Sequence, residues 1–139
     1  MNAECVLGTD GILPEYKTDG AAALDLFTPE SLCLEKGLHK INTTVAIAIP
    51  KGFYGEIKCR SSIGLAGCSV EAGIIDSDYR GEIMVLLRVR NPIKLQKGHA
   101  IAQLILKKCY RLNLTPVKLF STTTARGTNG FGSTDTKVV

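Results

Sequence analysis

The 139-residue chain has no tryptophan, two histidines and only 6% aromatic residues. His39 and His99 each stand alone, with no ligand partner at useful spacing, so both are assigned to structure or surface. The five cysteines are odd in number and contain no C-x-x-C pair. That spacing excludes a disulfide framework and a zinc site, and the five are read as buried thiols in a reducing compartment. No apolar run approaches the ~18 residues of a membrane span. The first residues lack a basic region followed by an apolar run, so no secretory signal is expected. The net charge of +4 comes without a Lys/Arg block. It suits an anionic ligand but not duplex nucleic acid. A soluble, intracellular protein, cytoplasmic or nuclear, is the expectation, with neither membrane nor nucleic acid as a partner.

What is present is β-like. Hydrophobic residues make up 45% of the chain, and 14 glycines separate short β-branched runs. Short strands with turn signals between them predict an all-β sandwich or jelly-roll-like domain. The length fits one domain, assigned to residues 1–120, and 121–139 reads as a Gly-rich C-terminal arm. Strands are expected over 4–9, 21–27, 31–35, 39–49, 53–59, 85–89 and 99–106, the run 39–49 with Val45, Ile47 and Ile49 on one face. Val85 to Val89, apolar on both faces, reads as a strand between two layers.

The chain is organised around Gly73-Ile74-Ile75-Asp76-Ser77-Asp78-Tyr79-Arg80-Gly81. Apolar residues up to Ile75 read as a strand and Asp-Ser-Asp as its turn, with 82–87 as the return strand of a hairpin. Carboxylates would then crown the tip, with an aromatic facing back over it. Arg60-Ser61-Ser62 offers a planar fork of donors beside two hydroxyls. Ser62 is expected to cap a short helix over 63–66, its amides facing an anion. Asp25 inside an apolar run is costly unless paired or facing water, and reads as an edge-strand acid, an acid near a cation, or half of a structural pair. Gln103 is the only amide in its strand, and must bond to backbone or to a ligand. In the arm, Phe131 lies between two glycines with no apolar neighbour, which suits closure over a flat ring. Arg126 and the amides around it suit phosphates. The Walker G-x-x-x-x-G-K-[ST] pattern is absent.

Together these stretches resemble the trimeric deoxyuridine triphosphatase (dUTPase) family. Five motifs occur in the family's order between Ala21 and Thr134: Ala-Ala-Leu-Asp-Leu around Asp25, Arg60-Ser61-Ser62, Gly73 to Gly81, Gly98 through Ala102-Gln103, and Arg126-Gly127 with Gly130-Phe131-Gly132-Ser133-Thr134. No single motif is specific, but all five in order are. The Arg60-to-Asp76 interval resembles the shorter, retroviral-type version. The resemblance implies a jelly-roll-like β-clip fold and a homotrimer whose C-terminal arms are exchanged between subunits. It also implies hydrolysis of dUTP to dUMP and pyrophosphate, which keeps uracil out of DNA and supplies dUMP for thymidylate synthesis. Carried over residue by residue, Asp76 would be the general base. Arg60, Ser61, Ser62 and Arg126 would hold phosphates, with Gln103, Gly132 and Ser133 in the same substrate-binding set. Gly73, Ile74, Ile75 and Met84 would line the uracil edge, Tyr79 the deoxyribose, and Phe131 would lid the base. Mg²⁺ would sit on the triphosphate, with Asp25 an outer-shell partner. Ala23 and Leu24 replace the family's usual Gly and aromatic, and Asp135 its usual last Gly, departures that bear on efficiency.

Two other readings share these residues. A dCTP deaminase needs a glutamate on the strand after the hairpin, where this chain has Leu86. A non-catalytic binding module of the same shell would not need Asp76, Tyr79, Arg126 and Phe131 together.

Overall fold

The structure, a computed structural model, describes residues 1–132. The described residues form eleven strands and one short helix: β1 Cys5–Leu7, β2 Leu24–Phe27, β3 Leu32–Leu34, β4 Gly37–Asn42, β5 Val45–Ile47, β6 Phe53–Lys58, α1 Ser61–Leu65, β7 Cys68–Glu71, β8 Ile74–Ile75, β9 Met84–Val89, β10 Ile93–Leu95 and β11 Ala100–Lys108. They form a four-stranded sheet in the order β2-β11-β6-β8, a three-stranded sheet β4-β9-β7, and two ribbons, β1-β5 and β10-β3. All pairings are antiparallel. One contiguous core joins the sheets, with Leu26, Ile83, Val85, Leu87 and Ile101 fully buried in it. No helix among the described residues is long and apolar enough to cross a membrane. This is the expected jelly-roll-like, all-β architecture, and among the described residues regular structure stops at Lys108.

Four local expectations are corrected. The run 39–49 is two strands, because Thr44 takes a left-handed φ of 57° and breaks the ladder; Val45, Ile47 and Ile49 are nevertheless buried. Helix α1 begins at Ser61 behind Arg60, and no side chain caps it, so Ser62 is not its cap. Only one face of β9 is buried. Val85, Leu87 and Val89 point into the core, whereas Met84 and Leu86 are half-buried and Arg88 is exposed. Of the cysteines only Cys68 is buried; Cys33 and Cys109 are exposed and all five are free thiols.

The hairpin expected over 73–87 is the most consequential correction. β7 and β9 do pair, Glu71 opposite Leu86. Beyond Glu71 the chain leaves that sheet. Ala72 and Gly73 take left-handed φ values of 55° and 117°, and β8 then pairs with β6, Ile75 opposite Gly55. Two successive left-handed residues swing the strand direction, which is how the chain crosses between sheets here. Residues 76–83 are therefore a loop spanning two sheets, not the tip of one ribbon.

Candidate active site

The loop is pinned at its entry. Ile57 N–H donates to the Gly73 carbonyl at 2.8 Å. A Cβ on Gly73 would lie 2.8 Å from the Ile57 carbonyl oxygen, so only glycine meets both the approach and the dihedral. At the tip, Tyr79 N–H donates to the Asp76 carbonyl at 3.2 Å. The Tyr79 phenol donates to the Glu82 carbonyl at 2.9 Å. Its ring lies over Gly81, where a Cβ would come within 2.4 Å of the phenol oxygen. The aromatic does face back over the loop. Gly73, Ile74, Ile75, Asp76, Tyr79 and Met84 line one open cavity of about 300 Å³, and Lys40, Glu71 and Leu86 are also in its wall. A larger cavity of about 770 Å³ lies beyond the tip, with Lys51, Arg80 and Arg111 on its rim, and Asp76 borders both. Asp76 itself is exposed.

A second cluster surrounds Asp25. Its side chain is only 7% exposed, and Oδ1 lies 3.1 Å from Nε of Arg60. Of the three readings of Asp25, the paired one is realised. Oδ2 is buried with no hydrogen-bond partner among the described residues. Arg60 also donates to the Ala100 carbonyl at 3.5 Å. Gln103 faces Asp25 across the β2–β11 ladder and donates Nε2 to the Cys59 carbonyl at 2.9 Å. The amide thus braces the peptide just before Arg60, one of the two roles left open for it. Ser61 and Ser62, exposed on the first turn of α1, flank this cluster. Burial pushes the Cys59 thiol up, with a smaller push from Cys68.

β2 and β8 are opposite edges of the four-stranded sheet. Three strand spacings of ~4.8 Å place them roughly 14 Å apart. The Arg60 guanidinium reaches toward β2, away from β8 and Asp76. One chain therefore carries two separate groups, an apolar cavity with a carboxylate and a cationic, hydroxyl-rich cluster. The described part of the arm adds to neither: Arg126 donates Nε to the Asn129 carbonyl at 2.9 Å, Phe131 is fully exposed, and neither they nor Gly132 line the two cavities. Ser133 lies outside the described residues. The residue reading missed Lys40 as a wall of the cavity, and Asn42 and Glu82, which hydrogen-bond beneath the loop at 2.6 Å. Alternation along β4 gave a signal for Lys40 only once β4 and β9 are known to be neighbours.

An apolar cavity rimmed by backbone, beside a separate anion-ready cluster, suits a ligand with a flat base and a charged tail. The family model dUTPase matches residues 9–135. A deoxyuridine 5'-triphosphate nucleotidohydrolase of Corynebacterium diphtheriae is 43% identical over 130 residues, covering 88% of this chain and 84% of that protein. Among solved structures, the dUTPase of Staphylococcus bacteriophage 80alpha with dUpNHpp superposes with a TM-score of 0.88 at 24% identity, over 95% of this chain and 97% of that one. A mutant dUTPase from phage phi11 of S. aureus, described with a structural Mg(II) ion, superposes with a TM-score of 0.78 at 22% identity, over 88% of this chain and 100% of that one. Matched over most of its length by the family model and by a close relative, and folded as those phage enzymes are, the chain belongs to the dUTPase family.

Proposed function

We infer that this enzyme, a dUTP diphosphatase, seats the deoxyuridine in the 73–84 cavity and carries out hydrolysis at its rim, with Asp76 as general base. Asp76 takes a proton from a water whose oxygen attacks the α-phosphorus; the bond from that phosphorus to the bridging α–β oxygen breaks, leaving dUMP and pyrophosphate. Little covalent chemistry is asked of the protein, so positioning and charge neutralisation supply most of the rate. The observation that carries the reading is the shared placement of Asp76 and the backbone-rimmed cavity on one loop. Gly73, Ile74 and Met84 would present backbone groups to the uracil edge, and the tight loop would exclude a thymine methyl. Tyr79 would pack under the sugar and leave no room for a 2′-hydroxyl. Unpaired polar groups and steric contact of this kind are how a small site discriminates.

Arg60, Ser61 and Ser62, the phosphate ligands of this reading, follow the C-terminal end of β6, whereas Asp76 follows β8 beside the start of β6, so the two groups lie at opposite ends of these strands. A second copy supplying them, and a third supplying Arg126, Phe131 and the 132–133 segment, would complete each site. A closed homotrimer answers both needs. The exposed run Tyr110, Leu112, Leu114, Val117, Leu119 and Phe120 supports that arrangement, since such apolar surface is suited to burial on a neighbour. The 121–139 arm would then act in trans.

Mg²⁺ fits only as an ion carried by the substrate. Among the described residues no three His, Cys, Asp or Glu side chains group to hold a metal. The orphaned Oδ2 of Asp25 suits one water of a hydrated ion, because Mg²⁺ usually keeps several of its waters. When bound, the ion neutralises phosphate charge. The deciding experiment is pyrophosphate release with Mg²⁺ from dUTP, dCTP, dTTP and UTP. Release confined to dUTP is expected; equal release from dCTP or UTP would overturn the pocket assignment.

A further inference from the structure

We propose that Lys40 reads position 4 of the pyrimidine and sets the preference for uracil over cytosine. The inference rests on the reading that the 73–84 cavity holds the base. Lys40 in β4 lies directly opposite Leu86 in β9, and Leu86 lies opposite Glu71 in β7. Residues opposite one another in antiparallel strands share a face of the sheet. Val85 and Leu87 point into the core, so the row Lys40-Leu86-Glu71 points outward, and all three residues line the cavity. Two strand spacings set Lys40 and Glu71 roughly 10 Å apart, with Leu86 as the floor between them. Of the cavity residues flanking the 76–83 loop, Glu71 is the furthest upstream and Leu86 the furthest downstream. The row therefore forms the end of the cavity remote from Asp76 and Tyr79.

That placement decides which part of the ring the row meets. A pyrimidine joined to its sugar through N1 carries C4 directly across the ring. With the sugar against Tyr79, the group on C4 points to the remote end. In uracil that group is a carbonyl oxygen, an acceptor; in cytosine it is an amine, a donor. A lysine ammonium offers three donors and no acceptor, so it bonds the first and opposes the second. Among the described residues Lys40 is the only cation in the cavity wall, and its Nζ has no ion-pair partner. It is exposed, so its stem can lie over Leu86 toward the base. Glu71 has the opposite preference, but its Oε1 accepts Nε of Arg88 at 2.9 Å. A free cation and an engaged anion at the same end favour the carbonyl.

The test compares full-length wild type, Lys40→Met, Lys40→Glu and Leu86→Trp, each checked for folding by thermal melting. The readouts are kcat and KM for dUTP by pyrophosphate release with Mg²⁺, and inhibition of that reaction by dUMP and by dCMP. The two monophosphates differ only in the base, so the ratio of their inhibition constants is free of phosphate effects. Lys40→Met keeps the length and drops the charge. It lowers the dUMP-over-dCMP preference about tenfold, the scale of one hydrogen bond to a charged group, and raises KM for dUTP more than it lowers kcat. Lys40→Glu offers an acceptor to the cytosine amine and lowers the preference further by tightening dCMP. A wild-type ratio in both Lys40 variants, or equal weakening of the two monophosphates, overturns the role of Lys40. Leu86→Trp fills the same end of the cavity without changing charge, and so tests the reading beneath. If it leaves kcat, KM and dUMP inhibition at wild-type values, the base is not in this cavity and that reading fails. If it impairs them while the Lys40 variants keep the wild-type ratio, only the role of Lys40 fails.

Discussion

Nε of Arg60 lies 3.1 Å from Oδ1 of Asp25, and the pair ties the residue before α1 to the edge strand β2. The Arg60 side chain is 30% exposed, so it can still present its remaining donors outward. One residue thus neutralises a buried carboxylate and stands ready for an anion.

Arg60→Ala should therefore damage stability and binding together. Leaving Asp25 buried alone should cost about 1–3 kcal/mol, the lower end reflecting solvent at the arginine. Urea denaturation of the single variants and of Asp25→Ala/Arg60→Ala checks this, since the double variant should lose less than the sum of the two singles. Strict additivity would show that the pair does not couple.

Asp76→Asn should retain nucleotide binding and lose turnover by about a hundredfold or more, the usual scale for a general base. Calorimetric titration with dUpNHpp and pyrophosphate release from dUTP separate the two quantities. Unchanged turnover would remove Asp76 from its role.

Gly73→Ala should destabilise the crossing between sheets. The new methyl would sit 2.8 Å from the Ile57 carbonyl at a φ of 117°, where neither the clash nor the strain has an easy escape. Overpacking and left-handed strain together suggest a loss of about 2–4 kcal/mol, read from thermal or urea melting. A wild-type melting curve would mean the loop can be re-laid without cost.

Truncation after Phe120 removes Arg126 and Phe131 but none of the eleven strands. Folded protein with little turnover is expected, measured by melting and by pyrophosphate release. Mixing the truncated chain with Asp76→Asn chains should restore some activity, since the truncated chain supplies Asp76 and the variant chain supplies the arm. Full activity of the truncated chain alone would make the arm dispensable.

The pH dependence of stability should carry a contribution from Glu56. Its carboxyl is held below its ordinary 4.5 by hydrogen bonds from Lys107 and then Lys58, at 2.7 and 3.1 Å. The Lys107 ammonium is raised above its ordinary 10.5 by the same contact. Because the folded carboxyl titrates lower than the unfolded one, its contribution is present above pH 4.5 and fades as pH falls through the lowered value. The lysine's contribution is present below pH 10.5 and fades as pH rises through the raised one. Glu56→Gln should flatten both flanks of a melting-temperature profile, weakly, because the groups are accessible to salt. An unchanged acid flank would contradict this.

Much of the site was legible because the chemistry is local in sequence. Gly73, Asp76, Tyr79 and Gly81 are close neighbours, so a loop built from them keeps its parts together however it is placed. The placement itself was not legible. Apolar residues on either side of the Asp-Ser-Asp turn read as one hairpin, whereas Ala72 and Gly73 redirect β8 to a different sheet. Likewise Val85 to Val89 looked apolar on both faces. The side carrying Met84 and Leu86 proved to be the cavity wall rather than a second core.

By itself the sequence determined an all-β chain, the five motif segments and the family they point to. Those depend on residue type, short-range turn chemistry and period-two alternation, all of which act between near neighbours. Only the tertiary structure decided that Asp25 pairs with Arg60, that Asp25 and Asp76 lie at opposite edges of one sheet, and that Asn42 supports Glu82. Each of those relations joins residues tens of positions apart, and strand order and register, set by packing of the whole core, bring such residues together.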